Sequence, residues 1–262
     1  MRVPATGRKS MSPAAIVAAA LALALCALAL LRPGTGTATL AGWSGSPGVP
    51  SPQPVIAEVL ATPPPRATPA PIHARVGLQV GHWQAEELPD ELAVLRAEHG
   101  ASAGGYNEVD INFAIAQQVA AILTTRGVAV DILPATIPPG YTADVFVAIH
   151  CDFNTDPGMG GFKLARFRAS AVPDRADALL GAVTAAYGVA TGQHQDGHIT
   201  RAMTGYYAFN AGDYRHTIDP ATPGVIIELG FLTNDADRAL LVDRQKTVAQ
   251  GLADGIMAFL VR

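Results

Sequence analysis

A proline-rich stretch early in the chain sets the strongest limit on what this sequence folds into. Residues 33–71 hold ten of the twenty prolines of the 262-residue chain, and only two of their side chains are charged. Proline lacks the backbone donor that sheets and helices use, and a stretch composed mainly of Pro, Thr, Ala, Gly and Ser has too few large apolar side chains for a core. We therefore interpret residues 33–73 as an extended linker. A globular domain is then expected in residues 74–262, which are numerous enough for one substantial core.

The segment before the linker is apolar and carries no charge. Residues 14–31 read AAIVAAALALALCALALL, and they follow a basic flank with Arg2, Arg8 and Lys9. A helix of this length spans roughly 27 Å, close to the thickness of the hydrocarbon core of a bilayer. We interpret residues 1–32 as a signal anchor, or as a signal peptide if the segment is cleaved. Both interpretations predict an exported, extracytoplasmic domain, membrane-anchored in the first case and secreted in the second.

Charge and cysteine content exclude two further possibilities. The formal net charge is −4 and the isoelectric point is about 5.9, and no basic stripe with interleaved aromatic residues is present, which argues against a nucleic-acid partner. Cys26 lies in the apolar segment, out of reach of Cys151, and the chain has no other cysteine. No disulfide is therefore expected in the domain, and its stability must come from packing.

Apolar runs and helical periodicities alternate along residues 74–262. Strands are predicted at 75–81, 128–133, 144–150, 160–166 and from 224 onward. Helices are predicted at 107–127, 173–188, 234–241 and 248–260. This alternation predicts an α/β fold, with a layered, open sheet that is mixed or mostly parallel and has helices on both faces.

Four titratable residues stand where predicted elements begin or end. His82 and His150 follow strands, Glu108 opens the long helix, and Glu228 closes the apolar run GVII. Two histidines and a carboxylate form a recurring catalytic zinc set, and a second carboxylate beside it can act as general base. The structural alternatives are a capped histidine and a glutamate that complements the helix dipole. Glu228 has the weakest structural explanation, because burying a carboxylate without a partner is costly.

At this point the sequence resembles a known family. The strings VGLQVGH, NEVDINFAIAQQVAAILTTRGVAV, ADVFVAIHCD and PGVIIELGFLTNDAD are similar to segments of the zinc-dependent type-3 N-acetylmuramoyl-L-alanine amidases, in the expected order over residues 75–260. The resemblance implies a peptidoglycan hydrolase that cleaves the amide between N-acetylmuramic acid and L-alanine. By position it implies that His82, Glu108 and His150 bind Zn²⁺ and that Glu228 is the catalytic carboxylate.

The chain departs from the family in two regions. Trp83 follows the first histidine where the family has a glycine pair, and the stretch from His82 to Glu108 is longer than usual. The region between Val130 and His150 lacks the family's usual TR-x-x-D and the helix after it. We expect Trp83 to narrow the pocket or to stack on substrate, and Arg201 to lie on the substrate side.

The longer stretch also contains a candidate regulatory segment. Residues 87–99 place Leu88, Leu92 and Leu95 on one face if they are helical, and we expect the segment to cover or border the groove. Members of the family often carry an autoinhibitory helix or need a protein activator, and the sequence does not identify an activator for this chain.

Other candidates and functions stay open. Cys151 is expected to face away from His150, since neighbouring side chains on a strand alternate, and HQDGH at 194–198 is a weak candidate for a second metal site. The alternatives to the amidase are a zinc amidohydrolase or peptidase that acts on another extracellular amide, and a non-catalytic cell-wall-binding domain of the same fold.

Overall fold

The computed structural model describes residues 73–262, so the predicted anchor and all but the last residue of the predicted linker lie outside the described residues. The strands are β1 (Arg75–Val80), β2 (Ser102–Ala103), β3 (Tyr106–Asn107), β4 (Ala129–Leu133), β5 (Val145–Asp152), β6 (Lys163–Arg166) and β7 (Gly224–Phe231). The helices are α1 (Glu108–Thr125), α2 (Pro173–Thr191), α3 (Arg201–Thr204), α4 (Asp235–Asp243) and α5 (Gln245–Leu260). Short 3₁₀ turns cover Ala85–Glu87, Asp90–Leu95 and Tyr207–Phe209. Within this part of the chain, no helix has both the length and the apolarity to cross a membrane.

Five strands form one sheet in the order β4-β1-β5-β7-β6. Four of them run parallel, and β6 pairs with β7 in the antiparallel direction, so the predicted mixed and mostly parallel sheet is confirmed. Strands β1, β5 and β7 are neighbours, and their carboxyl ends therefore meet at one edge. Sites in open α/β sheets form at this edge.

One side of the sheet, the helical face, is packed by α1, α2 and α5. The apolar stripe predicted for α1 is buried there: Ile111, Ile115 and Val119 are at most 3% exposed. Val183 and Tyr187 of α2 and Leu252 and Ile256 of α5 join them, together with every second residue of the central strands. The long apolar segments of the sequence thus assemble into a single core that needs no disulfide.

The other side, the loop face, is covered by α3, the 3₁₀ turns and the connecting loops. Its apolar cluster contains Phe146, Ala148 and Ile226 from the sheet, and Met203 and Phe209 from the covering chain. Helices therefore lie on both faces, as predicted, but the long ones share a single face. The loops of the opposite face leave room for a cavity.

Residues 83–107, here called the insertion, fold into two 3₁₀ turns and the β2-β3 hairpin instead of one helix. Leu88 and Leu92 are buried against Ala135. The Glu91 carboxylate accepts hydrogen bonds from the backbone N–H groups of Arg215 and His216 at 2.9–3.0 Å. These contacts attach the insertion to the loop face.

Candidate metal centre

Four polar strand residues point toward the loop face near or at the carboxyl edge. Gln79, His150, Lys163 and Glu228 are each flanked in the chain by two apolar residues of the helical core. Because side chains alternate along a strand, all four must point to the opposite face. His150 and Lys163 are both register partners of Glu228 on the neighbouring strands. The sheet itself therefore places the second histidine beside the candidate base.

The candidate ligands His82, Glu108 and His150 converge at this edge, with donor atoms all within 4.8 Å of one another. Glu108 Oε1 lies 3.6 Å from His82 Nε2 and 3.1 Å from His150 Nδ1. The three residues come from the turn after β1, the start of α1 and the end of β5. They form the one group of three or more potential metal ligands found among residues 73–262.

Tight local geometry positions the two histidines. His82 has a φ of +62°, in the left-handed region that residues other than glycine rarely occupy. A Cβ atom on Gly81 would come within 2.4–2.6 Å of the His150 ring. At Gly100, where φ is +78°, it would come within 2.8 Å of Glu108 Oε2. Only glycine fits at these two positions, so the chain closes tightly around the cluster.

Glu108 is 2% exposed but fully hydrogen-bonded. Its Oε2 accepts from the Ala101 N–H at 2.7 Å, and its Oε1 accepts from the Cys151 N–H at 3.1 Å and from Asn112 Nδ2 at 3.2 Å. Burial acts to raise its pKa, but the hydrogen bond and charge of His150, the charge of His82 and the Ala101 N–H outweigh it and hold the pKa at about 2. The residue is therefore a carboxylate, the form that binds metals.

Each histidine has a hydrogen-bond partner on its outer ring nitrogen. His82 Nδ1 lies 2.7 Å from the carbonyl oxygen of Glu98, in the insertion, and His150 Nε2 lies 3.0 Å from the Tyr206 hydroxyl. Burial lowers the pKa of His82 despite the nearby Glu108, which favours the neutral ring that metal binding requires. Outer partners of this kind are a regular feature of metal-binding histidines, because they fix the ring orientation.

The donor set fits a zinc ion. Two ligand atoms at about 2.1 Å from a tetrahedral metal lie roughly 3.4 Å apart, close to the 3.6 and 3.1 Å that separate Glu108 Oε1 from the two histidine nitrogens. Two imidazoles and one carboxylate also match the ligand types of catalytic zinc sites, which leave a fourth position open.

Glu228 lies beside this cluster with one oxygen unpaired. Its Oε2 is buried and has no hydrogen-bond partner within the described chain. Burial raises the pKa of Glu228 to about 8; His150 and Lys163 oppose the rise, whereas the carboxylates of Glu108 and Asp152 add to it. The Lys163 ammonium forms ion pairs with Asp152 and Asp196, so its charge is shared. At a pKa of about 8 this carboxyl is mostly protonated at neutral pH, and the positive charge of a metal ion at the neighbouring ligands would favour the ionised form that accepts a proton.

A cavity of about 410 Å³ opens on these groups. His82, His150 and Glu228 belong to its lining, and most of its other lining residues are aliphatic or aromatic. Leu88 and Leu95 of the insertion form part of the wall, so the leucine segment borders the groove, as expected from the sequence. The cavity can hold a substrate group next to the ligand cluster.

Two predicted substrate residues lie outside the cavity lining. The Trp83 indole packs edge-on against Phe113, with ring centroids 4.8 Å apart, so its stacking on substrate stays a prediction. Arg201 is exposed at the start of α3, between Thr200 and Ala202, which do line the cavity. Its role toward substrate is also still a prediction.

Cys151 lies in the helical core, and the HQDGH motif lies in a loop. The Cys151 thiol is buried in the helical core, as strand alternation predicts, and donates to Asn112 Oδ1 at 3.3 Å. His198 Nδ1 lies 2.6 Å from Asp196 Oδ1, but these residues belong to no metal-ligand cluster of the described chain.

The sequence interpretation missed three participants, namely Gln79, Glu98 and Tyr206. Gln79 is a polar side chain inside an apolar strand, which is the same sequence pattern that identified Glu228 as a candidate. Tyr206 lies in a loop whose neighbouring residues are also polar or aromatic, so no contrast with apolar neighbours marks it in the sequence. Glu98 contributes its backbone carbonyl, which no side-chain pattern reveals.

Comparisons with known proteins agree with this geometry. The model of the N-acetylmuramoyl-L-alanine amidase family, type 3, matches residues 76–258. No match was found among curated proteins.

Solved structures share the fold. The CwlD amidase from Clostridioides difficile, solved in complex with the GerS lipoprotein, is 17% identical, with a TM-score of 0.53 over 72% of this chain and 98% of that chain. The N-acetylmuramyl-L-alanine amidase Ami1 from Mycobacterium smegmatis is 19% identical, with a TM-score of 0.53 over 73% and 99% of the two chains. Its counterpart from Mycobacterium abscessus is 20% identical, with a TM-score of 0.52 over 71% and 98%. The chain belongs to the type-3 family of N-acetylmuramoyl-L-alanine amidases, and it is an enzyme of that class.

Proposed function

We propose that the protein is an exported zinc-dependent hydrolase that cleaves the amide between N-acetylmuramic acid and L-alanine in peptidoglycan. His82, Glu108 and His150 are the proposed ligands of Zn²⁺, and Glu228 is the proposed catalytic residue. The observation that carries this proposal is the convergence of three compatible donor atoms beside the unpaired Glu228 oxygen, where His82, His150 and Glu228 line one cavity.

The roles of the chain's own residues follow from their contacts. A bound zinc ion supplies Lewis-acid chemistry, since it polarises a carbonyl and lowers the pKa of water. Glu108 contributes the one negative charge of the ligand set and is held by three backbone and side-chain donors. Glu228 Oε2 takes the proton of the attacking water and then delivers a proton to the nitrogen of the leaving amine.

The test combines metal content with cleavage chemistry on the purified full-length chain. Bound zinc is measured by elemental analysis, and peptidoglycan digests are analysed for new lactyl-muramic and L-alanine ends. We expect one zinc per chain and a loss of at least about 100-fold in activity for Glu228→Gln, because general acid–base groups contribute 10²–10⁴ in rate. Glu86→Gln, which neutralises an exposed carboxylate of the insertion, serves as the matched control and retains activity.

Three results would contradict this proposal in different ways. Zinc binding with hydrolysis only of other amides would assign the site to a different extracellular substrate. Zinc binding without any hydrolysis would favour a wall-binding domain. A chain without zinc would refute the ligand assignment itself.

We also propose that residues 74–262 form the catalytic domain and act outside the cytoplasm, anchored by residues 14–31 through the linker at 33–73. The basic flank, the apolar run and the extracytoplasmic position of peptidoglycan support this arrangement. Cell fractionation with mass analysis of the mature chain tests it. An intact chain in the membrane fraction supports the anchor, whereas a shortened chain in the soluble fraction would replace it by a signal peptide.

A further inference from the structure

Gln79 is a fully buried amide in the middle of β1. A buried amide is costly unless both its donors and its acceptor are used. Its Nε2 donates to the Ala135 carbonyl at 2.8 Å and lies 3.0 Å from the Tyr207 hydroxyl, and its Oε1 lies 3.0 Å from the Tyr206 hydroxyl. Every polar atom of this side chain is therefore engaged, and the last contact leads to His150.

Hydrogen bonds connect Ala135, Tyr207, Gln79, Tyr206 and His150 in series, and the direction of each bond follows from which groups can donate. A carbonyl oxygen only accepts, so the Tyr207 hydroxyl donates to Ala135 O at 2.6 Å and accepts from Gln79. Both amide hydrogens of Gln79 are then used, and Gln79 Oε1 accepts the proton of Tyr206. The Tyr206 oxygen is left to accept, and the ring nitrogen 3.0 Å away, His150 Nε2, must donate.

We propose that Gln79 and Tyr206 are positioning residues that hold His150 with a proton on Nε2 and with Nδ1 directed at the metal. The proposal rests on the proposed function, since it requires His150 to be a ligand. His150 Nδ1 donates to Glu108 Oε1 at 3.1 Å in this structure, and a bound metal ion would replace that proton between the same two atoms. His82 is held the opposite way, because the Glu98 carbonyl accepts from its Nδ1 and leaves Nε2 for the metal.

The two histidines are also tied to each other through this network. The Ala135 N–H donates to the carbonyl of Trp83 at 2.8 Å, in the turn that carries His82. Gln79 and Tyr206 thus connect the His150 ring to the same turn. Glu98 and Ala135 both belong to the regions where the sequence departs from the family pattern, which explains how those regions remain compatible with a metal centre.

The test measures zinc affinity of the full-length chain by competition with a chromophoric chelator. Tyr206→Phe removes the acceptor of His150, and Gln79→Met frees the Tyr206 hydroxyl to donate to Nε2 instead of accepting from it. We expect both variants to lose about 10-fold in zinc affinity, the lower end of the effect of outer partners. Tyr141→Phe is the matched control, because it removes a hydroxyl that donates to Asp131 at 2.5 Å in the same apolar cluster. Its zinc affinity stays unchanged.

Gln79→Met separates positioning from the direct loss of a partner, because the hydrogen bonds of the Gln79 side chain go to Ala135, Tyr206 and Tyr207 and none goes to His150. If that variant fails to fold, histidine ¹⁵N spectra of the zinc-loaded wild type decide the question. With selective labelling of the seven histidines, we expect a proton on Nε2 and metal on Nδ1 for His150, and the reverse for His82.

Each failure has its own signature. Metal on His150 Nε2, or a Tyr206→Phe affinity equal to that of the wild type, would overturn the positioning role and leave the proposed function intact. Zinc affinity that responds as expected in a chain without amidase activity would support the positioning role and overturn the proposed function. A wild-type chain that binds no zinc would overturn both.

Discussion

The two faces of the sheet are built in different ways. The helical face is a continuous apolar core in which α1, α2 and α5 cover the strands. The loop face has shorter covering elements, and its sheet contributes Gln79, His150, Lys163 and Glu228, of which the first three are at most 7% exposed. On the helical face, many apolar contacts share the work of stabilising the fold. On the loop face, metal binding depends on a few individual polar atoms. Substitutions should therefore separate stability from metal binding according to the face they affect.

The largest expected effect lies on the helical face. Leu252→Ala removes a side chain with no exposed surface in α5 and should lower the free energy of unfolding by about 3 kcal/mol, through lost burial and a residual cavity. Urea unfolding in the presence of EDTA measures this. Val261→Ala, at a position that is 62% exposed, should change stability by less than about 0.5 kcal/mol. A reduced zinc affinity of folded Leu252→Ala would mean that the two faces are coupled.

Gly81→Ala tests the loop face, where we expect a substitution to change zinc affinity. The new Cβ would overlap the His150 ring at 2.4–2.6 Å, so the ring must move, and we expect zinc affinity to fall about 100-fold. Chelator competition measures the loss. Gly181→Ala in α2, where a Cβ meets nothing within 4 Å, is the matched control and should slightly stabilise the helix. Unchanged zinc affinity in Gly81→Ala would show that the cluster tolerates displacement.

A smaller effect is expected where the insertion is attached. Hydrogen bonds from the His216 and Arg215 N–H groups lower the pKa of Glu91 to about 2. Because this folded-state pKa lies below the unfolded value near 4.5, the carboxylate stabilises the fold above pH 4.5, and the stabilisation is lost as pH falls toward 2. The difference in urea midpoint between wild type and Glu91→Gln should thus be present at pH 7 and vanish near pH 2. A difference that persists at pH 2 would contradict a role for the charge.

The smallest effect is expected at the exposed rim of the cavity. If Arg201 contacts a carboxylate of the stem peptide, Arg201→Gln should raise KM for a soluble muropeptide about fivefold or less, since exposed ion pairs contribute at most about 1 kcal/mol. Its zinc affinity and kcat should not change. Arg262→Gln, at the exposed C-terminal residue, is the charge-matched control. Equal KM values for the two variants would remove Arg201 from the substrate site.

The same contrast explains what could be predicted from the sequence. Helical periodicity and β-branched runs are repeated signals, so α1, α5 and the strands of the central sheet were predicted within a few residues. His82, Glu108, His150 and Glu228 stood out because polar groups at the ends of apolar elements break such patterns, and the structure brings them together.

The remaining features could not be predicted because their signals are weak or absent. The leucines at 88, 92 and 95 predicted contact with the groove but not 3₁₀ geometry, since short apolar segments fit several backbone conformations. The contact of Trp83 with Phe113 on α1 has no signal in the sequence, and the role of Trp83 toward substrate stays a prediction. Gln79 was the one missed residue with a readable signal, a polar side chain between Leu78 and Val80.

The hydrogen bond between His82 and the main chain of the insertion has a consequence for which sequence changes the insertion can accept during evolution. A carbonyl group is present whatever side chain stands at position 98, so amino-acid replacements there preserve the bond to Nδ1. A deletion or an added residue between positions 84 and 107 would instead carry that oxygen away from the ring. The bond to His82 therefore depends on the length of this segment, whereas the identity of the residue matters at Gly100, where a Cβ atom would come within 2.8 Å of Glu108 Oε2.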